Sequence, residues 1–194
     1  MTRSIRWRII VLQIVALLVL AFGSGAGFVA NSFTNTQIHD QLAPQQIYFP
    51  QNAAQGLPKD LSQYAGQQVL TGDQAHAYAE KYIALHLSEL GQGHPYSYWS
   101  AQARAATDPT VAAKDQAIAD TLFKGETLRS MLNQAWTFSV IAQLALIAGI
   151  AFAIAAVVVL GTLAFEVAEM VTGKETVEAV HPAPATEPKL AGVQ

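Results

Sequence analysis

The chain of 194 residues has no cysteine. Disulfide staples, thiol catalysis and Cys-based zinc or iron–sulfur sites are therefore excluded. Charge is scarce too: Asp, Glu, Lys and Arg make up 13% of the residues and hydrophobic types 52%, where an ordinary soluble domain carries about 25% charge. The scarcity is local, because residues 9–30 and 137–165 contain no charged side chain at all. No GxSxG, P-loop or glycine-rich dinucleotide fingerprint occurs, so no enzyme is expected. A net charge of −3 without a basic stripe excludes nucleic acid as an expected partner.

The two uncharged windows each match the roughly 20 apolar residues that a helix needs to cross a bilayer core. The second is longer than that. A helix over residues 137–165 would run about 44 Å, so it must tilt or carry its outer turns into the headgroups. Trp136 is the ring expected to settle at the water boundary, with Arg129 about two turns further out, able to snorkel toward phosphate. At the other end Arg3, Arg6 and Arg8 stand without an acid, which the positive-inside rule places in the cytoplasm.

The expected organisation is a basic cytoplasmic N-terminus (1–8), a first transmembrane helix (9–30), an extracytoplasmic domain (31–135), a second transmembrane helix (136–165) and a cytoplasmic tail (166–194). The tail has 29 residues and ends in VHPAPATEPKLAGVQ, a composition that reads as disordered and leaves no room for a kinase. The alternative for the first window is a signal peptide cut after Ala26. The middle segment faces outward in either case.

Within that segment, residues 31–70 hold Pro44, Pro50 and Pro58 among many Gln and Asn, and read as an irregular arm with footholds at Ile47, Tyr48, Phe49, Tyr64 and Val69. QQIYFP has strand character but no obvious partner. Thr71 with Gln74 forms a capping-box signature and Gly91 an αL stop, which predicts a helix over residues 72–90. Its inward face would be Ala75, Tyr78, Ala79, Tyr82, Ile83, His86 and Leu90. A short helix with Tyr98 and Trp99 follows, and these with Tyr96 are expected in the core. Asp108 and Pro109 then start a helix carrying Val111, Ile118, Leu122 and Phe123. Gly125 predicts a break or a close approach in that helix, which otherwise runs into the second window as one stiff rod. Glu126 is spaced to pair with Arg129.

Asp73, His76 and Glu80 share a helix face and could offer three ligands to a divalent metal, with a solvated polar face as the plain alternative. His86 reads as a hydrogen-bonded core histidine; His39 and His94 fall in loops. Gly23 with Gly27, and Gly149 with Ala153, are small-xxx-small pairs suited to close helix packing. Gln13 and Gln143 lie at different depths of a simple hairpin and cannot satisfy each other. Each needs another polar partner, which predicts a homo-oligomer or a complex with another membrane protein.

The stretches FVANSF, LAPQQIYFP, YAGQQVLTGDQAHAYAEKYIALHL and TLFKGETLRSMLNQAW resemble a group of uncharacterised bacterial membrane proteins with two hydrophobic segments around an extracytoplasmic region. The resemblance covers most of the chain. It implies an uncleaved anchor and a place in the plasma membrane, and it brings no activity, cofactor or ligand. The fold expected is all-α: two transmembrane helices flanking a small extracytoplasmic helical domain with an irregular arm. Its role is that of a structural or interaction subunit, or alternatively of a sensing module that signals through a partner.

Overall fold

A computed structural model describes residues 3–178, with side chains for 5–172. The side chain of Arg3 and the tail beyond residue 178 lie outside the described residues. The fold is all-α. Helix α1 spans Arg3–Leu42, α2 Gly72–Ala77, a π-helical segment Tyr78–Ile83, α3 Ala84–Leu90, α4 Tyr96–Ala105 and α5 Pro109–Glu178. Two helical stretches, Ile5–Gln45 and Pro109–Thr172, are long and apolar enough to cross a membrane. Their most apolar windows are only 11% and 6% buried, unlike the core helix of a soluble protein. The described residues form two compact units, a helix pair of residues 3–23 with 151–178 and a head of residues 24–150.

In the helix pair, Phe22, Leu18 and Val157 are exposed and Ile10 is buried. Contact rests on small and polar groups. A Cβ on Gly23 would lie 2.8 Å from the Phe152 ring. Arg6 reaches Glu169 at 3.8 Å, and the Gln13 amide donates to the Thr162 hydroxyl at 3.4 Å.

The head has an apolar core of Ile38, Leu42, Phe49, Leu57, Leu61, Val69, Ala75, Ala79, Ile83, Leu87, Leu122 and Leu132. Helix α1 does not end at residue 30: nothing before Pro44 breaks it, and Ile38 and Leu42, one turn apart, are buried in that core. The irregular arm therefore begins at Ala43 rather than Asn31. His39 accordingly sits on α1 beside Asp40, 3.3 Å away, and not in a loop. The arm is made of 3-10 turns at Ala43–Gln45, Ala53–Gln55 and Lys59–Tyr64. Tyr48 does find a partner, in an antiparallel bridge to Gln68. The Phe49 and Val69 amides donate to the carbonyls of Gln67 and Ile47 at 2.9 and 2.8 Å. Phe49 and Val69 are buried footholds, as are Leu57 and Leu61, while Tyr48 stays exposed.

The capping box forms as its spacing predicts: the Thr71 hydroxyl accepts from the Gln74 amide, and the Gln74 side chain accepts from the Thr71 N–H. The inward face beyond it is as expected through Ile83, with Tyr78 and Tyr82 packed against the core, and departs from expectation at its end, where Leu87 takes the place of Leu90. Ala75, Ala79, Ile83 and Leu87 are buried and Leu90 is exposed. Steps of four in an α-helix drift by about 40° each; the i→i+5 turns of the π segment take up that drift and keep the four in line. Gly91 is not left-handed, having φ −79°. The left-handed turn falls on Gln92 and Gly93, and Gly91 is needed because a Cβ there would meet the His94 carbonyl at 2.5 Å.

The third-helix start is as read, with Asp108 Oδ1 accepting from the Thr110 amide at 2.7 Å. Helix α5 then passes Gly125 unbroken. A Cβ at Gly125 would collide with the Leu87 side chain, so the approaching group is a side chain rather than backbone. On the same helix Leu122 and Ala119 are buried, whereas Val111 and Phe123 face out.

Candidate functional site

The most organised polar cluster of the head joins α2, the π segment and α5. Arg129 donates to Glu80 through two nitrogens, Nε at 3.1 Å and Nη2 at 2.5 Å, a bidentate pair. Its Nη1 also meets Glu126 Oε2 at 3.3 Å, as the i, i+3 spacing predicts. The Asn133 amide donates to Glu80 Oε1, and its own oxygen lies 3.0 Å from His76 Nδ1. Because an amide oxygen only accepts, that histidine nitrogen carries the proton. The His76 ring stacks on Trp136 with centroids 4.1 Å apart.

Arg129, and then Asn133, hold the Glu80 carboxyl below its usual value; the Arg129 guanidinium is pushed up in turn by Glu80. A carboxylate kept ionised in this way is a poor proton acceptor near neutral pH. The arrangement serves as a clip that fixes α5 against the segment carrying His76 and Glu80. Of the three candidate metal ligands, His76 and Glu80 are taken up in this clip, and Asp73 is exposed outside it. Among the described residues no group of three His, Asp or Glu is set to hold a metal ion. Arg129 faces two carboxylates rather than standing free for headgroups.

The clip was readable in one respect. His76 with Glu80, and Arg129 with Asn133, are two i, i+4 polar pairs on helices that otherwise turn apolar residues inward. Such spacing puts each pair on one face of its own helix and does not say which helix that face meets. Asn133 carries no signal of its own, because an isolated Asn in a helix reads as surface.

A second run of side chains stacks along the head. Phe49 lies 5.0 Å from Tyr64 and 5.1 Å from Tyr78, Tyr78 lies 4.8 Å from Tyr82, and Tyr82 lies 4.3 Å from His86, all between ring centroids. Burial pushes the Tyr78 hydroxyl up to about 12. His86 Nδ1 donates to the Tyr82 carbonyl at 2.8 Å, the hydrogen-bonded core histidine expected. The cluster Tyr96, Tyr98 and Trp99 splits: Trp99 packs on the core and donates to the Gly91 carbonyl at 2.9 Å. Tyr98 is exposed and stacks on His94, and Tyr96 is exposed beside Phe123.

Comparison with protein-family models, curated proteins and solved structures returns no match for this chain.

Three glycines of the apolar windows, Gly23, Gly27 and Gly149, pack within the chain, while Gly25 and Gly161 face open space. A Cβ on Gly27 would lie 2.5 Å from the Ala145 carbonyl and 2.8 Å from Gly149 Cα. Ala153, partner of Gly149 in spacing, is half-buried in the helix pair. Gln13 finds Thr162 for its amide nitrogen, correcting the expectation that it lacks a partner in its own chain. Its oxygen is buried without one. Gln143 differs: it is exposed and makes no side-chain hydrogen bond among the described residues. Trp136 is half-buried, so it is not free on all sides to lie among headgroups.

Proposed function

We propose that this chain is a two-pass integral membrane protein of the cell envelope. Its N- and C-termini are cytoplasmic and residues 31–135 are outside. It acts without enzymatic activity as a structural or interaction subunit. The two uncharged windows, with their large apolar side chains turned outward, support the membrane placement. An uncleaved first helix is supported by Gly23 against Phe152 and by Gln13 on Thr162, since a cut after Ala26 would discard both contacts.

Gln143 carries the interaction reading. An amide inside an uncharged window has nothing to bond with in lipid. A polar group on another copy or another membrane protein would satisfy it, an interaction worth about 0.6–2 kcal/mol. The test is photo-crosslinking from position 147, an exposed site one turn from Gln143, in intact cells, followed by mass spectrometry. One dominant partner is expected, lost in Gln143→Leu. A chain that crosslinks to nothing and is strictly monomeric in mild detergent would overturn the reading.

The alternative, a sensing module, draws on one observation: an open trough of about 500 Å³ in the head, lined by Ser88, His94, Tyr96, Glu126 and Arg129 among others. A small molecule retained there, with no protein copurifying, would favour it.

A further inference from the structure

Between the outer part of α1 and the middle of α5 runs a groove of about 670 Å³, within the size range of ligand pockets, roughly 300–1,000 Å³. Its α1 wall carries Phe33, Gln37 and Gln41, and its α5 wall Met131, Gln134 and Phe138; no charged residue lines it. Phe33, Met131 and Phe138 are exposed by half or more. The amides of Gln37, Gln41 and Gln134 make no side-chain hydrogen bond among the described residues.

We propose that this groove holds one acyl chain of a membrane phospholipid, with the glutamine amides donating to its ester carbonyls. The inference rests on the two-pass reading above. Phe33 lies three residues beyond the first uncharged window and Phe138 falls inside the second. The foot of the groove therefore opens at the level where acyl chains are the solvent. From Phe33 to Leu42 the wall rises about 14 Å, more than the headgroup layer of roughly 5–8 Å per leaflet, so the groove draws the chain above the hydrocarbon edge. The lining suits this occupant over a protein helix or an anionic headgroup. It offers apolar carbon whose burial is favourable and neutral amides for esters, but no charge to pair with either.

The test reconstitutes the full chain in phosphatidylcholine vesicles doped with phosphatidylcholine bearing a diazirine near the ester end of one acyl chain, and maps the labelled residues after illumination. Labelling is expected at Leu128, Met131 or Gln41 in addition to the two windows. Met131→Lys, a change at an exposed position, should cut the labelling of Leu128 and Gln41 by about tenfold or more, since a charge is costly in such a lining, and leave the windows labelled. Labels confined to the windows, or groove labelling indifferent to Met131→Lys, would overturn the proposal and leave the two-pass reading standing. Chain-to-chain adducts from a photoreactive residue placed at position 131 in a parallel sample would overturn it in favour of a second copy. If no residue is labelled and carbonate extracts the protein, the two-pass reading fails first.

Discussion

In the helix pair, Leu18, Phe22 and Val157 turn outward with exposures of 65%, 80% and 69%, while in the head Phe49, Leu61 and Val69 are closed to 2% or less. The same residue types are used in opposite senses. The head is held as a water-soluble domain is held, by removing apolar surface from water. Between helices in lipid that force is absent, and contact rests on small residues and a few polar bonds. The pair has Gly23 against Phe152, Gln13 on Thr162 and Arg6 near Glu169. The head adds an aromatic stack and an ion-amide clip. Loss of one large core side chain should consequently be felt far more in the head than loss of one polar bond in the pair.

The largest expected effect is in the head. Leu61→Ala, at a residue 1% exposed, should cost about 2–5 kcal/mol. Thermal unfolding and limited proteolysis in detergent would show the arm and α2–α4 released, while the protein still resists carbonate extraction. Equal loss of both units would mean that they fold as one.

Breaking the clip should have a middling effect. Glu80→Gln removes the bidentate partner of a guanidinium that is 30% exposed, so the loss, discounted for solvent screening, is about 1–2 kcal/mol at pH 7. The Glu80 carboxyl lies below its ordinary 4.5 when folded. Its contribution is fully present above that ordinary value and disappears as the pH falls through the lower, folded one. Melting curves of wild type and Glu80→Gln should therefore differ at pH 7 and converge as the pH falls below 4.5. Curves that stay parallel would assign the effect to packing.

The smallest effect is expected in the helix pair. Gln13→Leu removes one long hydrogen bond together with a buried oxygen that has no partner, and should change helix-pair stability by about 0.6 kcal/mol or less, as measured by steric trapping in micelles. A loss of several kcal/mol would show that Gln13 meets a further group and would erase the contrast between the units.

Local signals carried far in this chain. Thr71 with Gln74 and Asp108 before Pro109 act where their spacing puts them, because a cap is a contact among neighbours. Glu126 reaches Arg129 for the same reason. The reading faltered where long-range packing decides. Residues 31–42 look polar enough for a loop, yet Ile38 and Leu42 extend α1 because a core waits for them. Leu87 replaces Leu90 because the helix widens into a π segment. Glu80 and Arg129, placed in different roles by sequence, meet across 49 positions.

What the sequence determined unaided is the pair of apolar rods, for charge-free runs of that length can be read without knowing their neighbours. What only the tertiary structure decided is which polar groups are satisfied: Gln13 by Thr162, Glu80 by Arg129 and Asn133, and Gln143 by nothing in its described chain. Partnership is a matter of distances across the fold, and no local pattern encodes them.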